Sequence, residues 1–330
     1  MIRTPDPYGR EAAHPLEIPL KGWLQVVHRV STESIRDNLS VIAAGCAFFA
    51  VFALFPALSA LFLLYGLTVD PAAIEPQFGV LALVLPPQAY QMIVHETKLI
   101  AETSGNAFSW SLAFSLGLAL WSVAALVQTV FAALNITYEE QERRGWLRFY
   151  VSAFVFAVTG VLGGLVALVA IIYVPIAFAY AGHSTDFQYF VSFARWPLLA
   201  LMFFLVVACL YRYGPSRSTA KWRWVIPGSI FATIVWLIVS AVFSFYVSEF
   251  ANYDKLYGSL GAVIVLLFWL YLAFYIVLLG AEINAELELQ TARDTTDGKP
   301  LPIGERGAFV ADHVAGGPHG YMRPVSPAGR

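Results

Sequence analysis

Apolar and polar positions divide the chain into six apolar runs separated by short polar stretches and closed by a polar tail. The runs extend from about Val41 to Leu67, Phe108 to Leu134, Phe149 to Ala181, Phe193 to Tyr211, Val225 to Val247 and Leu260 to Ala281. A helix that crosses a hydrocarbon core of about 30 Å needs about 20 apolar residues. None of the runs shows the period-two alternation of a membrane barrel strand. Helices then remain the only spanning form that satisfies its own backbone N–H and C=O groups in lipid. The pattern predicts an all-α, polytopic membrane protein with six transmembrane helices. The third run is longer than one crossing and must tilt, kink or project; Pro175 offers the break. Pro56 and Pro197 fall within the first and fourth runs, where each removes a backbone donor. Gly160 and Gly164 make a small-xxx-small pair, which predicts close helix packing.

The flanks set the domain boundaries. Residues 1–40 read as a cytoplasmic N-terminal segment with an amphipathic helix, in which Leu24, Val27, Ile35 and Leu39 sit among charges. Such a helix suits either the inner membrane surface or a cap on the bundle. Residues 41–290 form the six-helix transmembrane domain. The first outer loop, Thr68 to Ala107, is partly helical, with apolar spacing at Ala89, Met92, Ile93, Leu99 and Ile100 after the break at Pro86 and Pro87. The last segment, 291–330, holds five Pro and seven Gly with no apolar periodicity, which predicts a disordered cytoplasmic tail.

Charge orients the bundle. Seventeen of the twenty Lys and Arg residues lie before the first run, between the second and third, between the fourth and fifth, or after the sixth. The exceptions are Lys98, Arg195 and Lys255. Cations are retained on the cytoplasmic side, so both termini are expected there. Only 13% of residues are charged, against about 25% in soluble domains. The net charge of −2 gives no nucleic-acid footprint.

Soluble-enzyme motifs are absent: there is no phosphate-binding glycine loop, no HExxH and no paired CxxC. The six histidines are scattered, and Cys46 and Cys209 lie singly inside apolar runs. The expectation is a protein that is not an enzyme, with no cofactor and no metal. The polar groups that stand out lie at helix ends. Asn135 follows the second run; Glu282, Asn284 and Glu286 follow the sixth. Burying such groups in lipid is costly without a partner or a wet cavity. They form a candidate substrate or coupling cluster near Arg143, Arg144 and Arg212, or else an ion-pair collar. Glu282 and Glu286 share a helix face while Asn284 points elsewhere. At the other end, Glu249, Asp254, Tyr257 and Gly258 crowd a short turn, a candidate outer gate or a plain connection.

Four stretches carry a resemblance: Ala43 to Leu67 (AAGCAFFAVFALFPALSALFLLYGL), Lys221-Trp222-Arg223-Trp224 with Pro227-Gly228, Tyr257 to Leu272 (YGSLGAVIVLLFWLYL) and Leu278 to Glu288 (LLGAEINAELE). Over about residues 20–290 the chain resembles the YihY / virulence factor BrkB family of bacterial inner-membrane proteins. The resemblance implies six transmembrane helices. Some members once carried a ribonuclease BN label, which the residues above do not support. Others are linked by name to serum resistance, and one branch to the movement of envelope lipid precursors. The expected function is a transporter or flippase-like protein of the bacterial inner membrane for a lipid or amphiphilic envelope substrate. The alternative is a non-transporting envelope scaffold or virulence-associated membrane protein. Its expected partners are membrane lipids, the envelope lipid substrate and a second copy of the chain in a homo-oligomer, with no nucleic acid.

Overall fold

The computed structural model describes residues 6–66, 106–180, 185–250, 260–316 and 321–322. A short 3₁₀ turn at Pro15–Glu17 precedes α1 (Leu20–Arg36) and α2 (Leu39–Gly66). Four more long helices follow, α3 (Asn106–Thr137), α4 (Trp146–Tyr180), α5 (Thr185–Tyr213) and α6 (Trp222–Phe250), then α7 (Leu260–Leu289) and one turn, α8 (Phe309–Asp312). Two-residue strands β1 (Val314–Ala315) and β2 (Tyr321–Met322) pair antiparallel near the end. The long helices α2 to α7 fall on the six apolar runs. The helices run unbroken through Pro56 and Pro197.

Four described helices contain a stretch long and apolar enough to cross a bilayer: Leu116–Thr137, Trp146–Gly163, Trp222–Tyr246 and Val263–Leu289. Leu20–Arg36 with Leu39–Leu54 adds a fifth if that pair, bent by 63°, is one span, and Pro197–Tyr213 is a shorter apolar helix. The chain is thus a multi-pass helical membrane protein. Its outer surface agrees: Ile234, Ile238 and Val242, spaced four apart on α6, are 52%, 57% and 62% exposed. In water that stripe would be a hydrophobic liability, whereas lipid solvates it.

Helix α7 is the centre of the packing, in contact with α1, α2, α3, α6 and α8. Leu39, Ala43 and Cys46 of α2 meet Val130, Ala133 and Leu134 of α3 and Leu278, Ala281 and Ala285 of α7 in one apolar core. Small residues let these helices approach. The closest approach is between α6 and α7, where a Cβ on Gly228 would fall 2.0 Å from the Gly280 carbonyl oxygen. Gly160 of α4 has no such neighbour within 4 Å among the described residues, and the surroundings of Gly164, its expected packing partner, are not described.

Two connections depart from expectation. Helix α1 buries Val26 and Val30 with Trp224 and Leu287, while Leu24, Val27 and Ile35 point outward with Leu20. Of the four apolar positions read in the sequence, Leu24, Val27 and Ile35 thus form an exposed stripe suited to a membrane surface, and Leu39 is buried in the core. The expected disordered tail is folded through residue 316. Lys221 N donates to Thr295 O at 2.9 Å, Ser218 N to Gly307 O at 3.0 Å, and Val310 and Ala311 are buried. Its organiser is Arg306, 5% exposed, which donates to the carbonyls of Ala292, Leu301 and Ala311. A segment without apolar periodicity is ordered here by hydrogen bonds to distant loops. Residues 68–105, with the expected helical pieces of the first loop, lie outside the described residues.

Candidate functional site

The polar residues converge at one end of the bundle, where the C-terminal ends of α3, α5 and α7 meet the start of α6, the α1–α2 turn and the folded tail. We call it the basic end, because the described part of each cation group identified in the sequence lies there. Along the last turns of α7 every second residue is polar, from Glu282 through Asn284, Glu286 and Glu288 to Gln290, and all five are buried. Successive positions of this series step around the helix by about 200°, so each polar group meets a different neighbour.

Asn284 serves α6. Its Oδ1 accepts from Gly228 N at 2.8 Å and its Nδ2 donates to Val225 O at 3.0 Å. Pro227 lies between those two residues and donates no hydrogen bond of its own, so a side-chain amide ties the helix on both sides of it. Glu286 serves α1: Arg29 donates to its carboxylate through Nε, and through Nη2 to its backbone oxygen at 3.0 Å and to Gln290 Oε1 at 2.9 Å. Glu288 serves the α5–α6 connection and the tail. Arg217 Nη2 reaches both of its oxygens at 2.8 Å, and the Thr295 hydroxyl donates to Oε2 at 2.6 Å. Arg217 also lies over the Tyr138 ring, 4.8 Å from its centroid.

Asn135 is not part of this set. Its Nδ2 donates to Glu142 Oε2 at 2.9 Å and its Oδ1 accepts from Ser216 N at 2.7 Å, which joins the α3–α4 and α5–α6 connections. The expected pairing of Glu282 and Glu286 with Arg143, Arg144 or Arg212 is also replaced. Arg144 pairs with Glu142, Arg212 with Asp297, and Arg143 reaches only to 3.9 Å of Glu140. The arginine that Glu286 uses, Arg29, is separated from it by almost the whole chain, so local spacing gave no sign of it. Glu288, Arg217 and Arg306 were missed for a related reason: their partners are loops and backbone oxygens. The continuation of the every-second-residue polar pattern to Glu288 and Gln290 was the available signal. The side chain of Glu249 is not described, and Asp254, Tyr257 and Gly258 of the expected outer gate lie outside the described residues.

Glu282 is the exception among the α7 polar residues. It is 2% exposed, and its Oε2 has no hydrogen-bond partner. Burial acts on it most, and among the charges that act on it are those of the carboxylates Glu286, Asp37, Glu33 and Glu139. Three of these form a tight group: one carboxylate oxygen each from Glu33, Asp37 and Glu139 lies within 4.8 Å of the others. Arg36 is their counter-ion, 2.8 Å from Glu33 and 3.8 Å from Asp37 and in contact with Glu139. Burial pushes the Asp37 carboxyl up to about 6, and Glu139 and Glu33 add to the rise against the pull of Arg36.

The backbone presents two of these acids deliberately. Helix α3 ends with Glu139 N donating to Ile136 O at 2.9 Å and Glu140 N to Asn135 O at 2.7 Å, the paired closure of a Schellman motif. Its left-handed position is occupied by Glu139, φ 56°, where glycine is usual. Asn38, φ 54°, makes the turn that sets Asp37 between α1 and α2.

A family model described as virulence factor BrkB matches residues 30–302, most of the chain and most of this polar end, up to the first part of the folded tail. The chain belongs to the virulence factor BrkB family. Among its relatives, YfkH of Bacillus subtilis, named as a ribonuclease-like protein, is 33% identical over 252 residues, 74% of this chain and 88% of YfkH. A UPF0761 membrane protein of Pseudoalteromonas translucida is 25% identical over 281 residues, 83% of this chain and 88% of its own length. Another UPF0761 membrane protein, from Idiomarina loihiensis, is 28% identical over 167 residues, 49% of this chain and 56% of that protein. No solved structure matches the chain. For this BrkB-family chain, the match reaches past α7 to Pro302, so the tail's contacts with Lys221 and Glu288 belong to the family region.

Proposed function

We propose that this chain is a six-span protein of the bacterial inner membrane, with both termini cytoplasmic, that moves a lipid or other amphiphilic envelope molecule and performs no covalent chemistry. The observation that carries the reading is Glu282. Every other polar residue in the α7 series has a protein partner, and this one, 2% exposed, keeps a carboxylate oxygen with no partner among the described residues. Membrane proteins retain intramembrane ionisable groups mainly where substrate, ion or proton pathways need them. The bias of cations towards the basic end supports its cytoplasmic placement.

The test is reconstitution into liposomes with a panel of fluorescent lipids and amphiphiles, scored by accessibility of the label to an impermeant quencher. Wild-type protein should move at least one class, and Glu282→Gln should abolish the movement with the melting temperature intact. Movement that Glu282→Gln leaves untouched removes the role given to this residue. Orientation is tested separately. A cysteine in place of Ser184 should react with an impermeant thiol reagent in intact spheroplasts, and one in place of the exposed Arg143 should react only after permeabilisation.

A second reading, a non-transporting scaffold, is favoured by the number of fixed contacts at the basic end. The Arg217–Glu288 and Arg29–Glu286 pairs and the folded tail tie α1, α3, α5, α6 and α7 together. A scaffold would show no lipid movement in the same liposomes and would lose stability when Glu282 is neutralised.

A further inference from the structure

We propose that Glu33, Asp37 and Glu139, backed by Glu282, form a binding site for a hard divalent cation of the magnesium, calcium or manganese class. The proposal goes beyond the transport reading and holds whether or not the chain moves lipid.

The donor set selects the ligand. All four groups are carboxylates, with no imidazole or thiolate among them, and oxygen-only sites suit magnesium, calcium and manganese rather than zinc or copper. The spacing fits as well. Metal–oxygen distances of about 2.0–2.6 Å put ligand oxygens on opposite sides of one ion at up to about 5 Å from each other. The three carboxylate oxygens lie within 4.8 Å of one another.

Crowded acids alone would say little, since exposed acidic groups gather without metal. Two further features distinguish this group. Glu282 is 2% exposed, one of its oxygens has no partner among the described residues, and the three acids and Glu286 are among the charges that act on it. Glu286 is already satisfied by Arg29. Among the described residues, Glu33, Asp37 and Glu139 share the single guanidinium of Arg36. The second feature is how the acids are delivered. Glu139 stands in a left-handed position just past the end of α3, a conformation that glycine adopts more easily than a residue with a side chain. Glu33 and Asp37 flank the last turn of α1. The α1–α2 turn and the end of α3 therefore meet through carboxylates, and their charges act on the buried Glu282 of α7. A bound cation would fasten them.

Arg36 is the competitor. Its side chain is half exposed, and it holds the acids that the metal would take. Removing it should therefore tighten metal binding, which is the opposite of what an ion-pair latch would do.

The experiment uses the full-length protein in detergent, freed of any affinity tag and stripped with chelator, with Mn²⁺ as the probe and electron paramagnetic resonance reading free metal. The expected result is saturable binding of about one Mn²⁺ per chain, displaced by Mg²⁺ or Ca²⁺. Asp37→Asn should weaken it by about tenfold or more, as loss of even a supporting residue does at metal sites. Glu139→Gly is the decisive variant. It removes a ligand while relieving the left-handed strain, so a loss of binding cannot be assigned to misfolding. Arg36→Gln should bind more tightly than wild type, and Glu142→Gln, outside the cluster, should bind as wild type does. No saturable binding in wild type, or binding that Glu139→Gly leaves unchanged, overturns the proposal.

Discussion

Arg217 Nη2 lies 2.8 Å from both carboxylate oxygens of Glu288, and the two side chains are 1% and 0% exposed. An ion pair this deep is held by geometry, because each charge has lost its water. Replacing one partner leaves the other buried and alone, at a cost of about 3–5 kcal/mol, while replacing both by apolar residues of similar volume is close to neutral. We expect Glu288→Leu or Arg217→Met alone to lower the thermal midpoint in detergent sharply. The double variant should recover most of the loss. Equal destabilisation by the single and double variants would mean that the pair matters for its shape and not for its charge balance.

The folded tail leads to a second expectation. Thr295 caps Glu288 through its hydroxyl and receives Lys221 N on its carbonyl, and Phe309 N donates to Glu140 at 2.6 Å. Truncation before Asp294 should expose the Arg217–Glu288 pair to water and lower the midpoint. Arg306→Ala should reproduce much of that effect, on the order of 3 kcal/mol, because three buried carbonyls lose their donor together. Limited proteolysis offers an independent check. Arg306→Ala should become sensitive between Asp294 and Arg306, where wild type is protected.

The bundle was legible in the sequence and its polar end was only partly so. Apolar runs report lipid contact directly, so α2 to α7 could be placed from hydropathy alone. Glu282, Asn284 and Glu286 could be singled out because charge is rare in such runs. Their partners could not, since Arg29 and Glu286 are brought together by the packing of the first helix on the last. The tail was misread because composition records what a segment lacks. It does not record that one arginine, Arg306, can hold Ala292, Leu301 and Ala311 together through their carbonyls. Glu139 lies far from Glu33 and Asp37 in the sequence, and only the packing of the α3 end against the α1–α2 turn makes a cluster of them.

Glu142 gives a pH signature. Burial would raise its carboxyl, but hydrogen bonds from Arg144, Asn135 and Ser216 outweigh that and hold it down to about 2, from an ordinary 4.5. The unfolded chain takes up this proton first. Stability from Glu142 is therefore fully present above about 4.5 and lost as pH falls from there towards 2. A series of thermal midpoints from pH 7 to pH 3 should show wild type above Glu142→Gln by a constant margin at the upper end, with the two curves converging below pH 4.5. A margin that persists to pH 3 would mean that the carboxylate charge is not what Asn135 and Arg144 stabilise.

The α6–α7 contact is the most sterically exacting place in the fold. A Cβ on Gly228 would meet Gly280 O at 2.0 Å and the Asn284 amide at 2.7 Å, and one on Gly280 would meet the Tyr211 hydroxyl at 2.5 Å and Gly228 O at 2.7 Å. The first obstacle in the Gly228 case is backbone, so no rotamer change relieves it, and the helices must separate. Separation breaks the bond from Gly228 N to Asn284 and lengthens the one from Asn284 to Val225. Overpacking of this kind costs about 1–3 kcal/mol before the amide bonds are counted. Gly228→Ala should therefore destabilise more than Asn284→Ala, which loses the two hydrogen bonds but allows the helices to stay in contact. Gly280→Ala should be intermediate, because the Tyr211 hydroxyl, which donates to Val277 O at 2.6 Å, is side chain and can yield. Adding Tyr211→Phe to Gly280→Ala should then recover part of the loss, while adding it to Gly228→Ala should recover none. The order is read from thermal midpoints of the purified variants in one detergent, and a Gly228→Ala protein as stable as wild type would mean that these helices do not cross on their glycines.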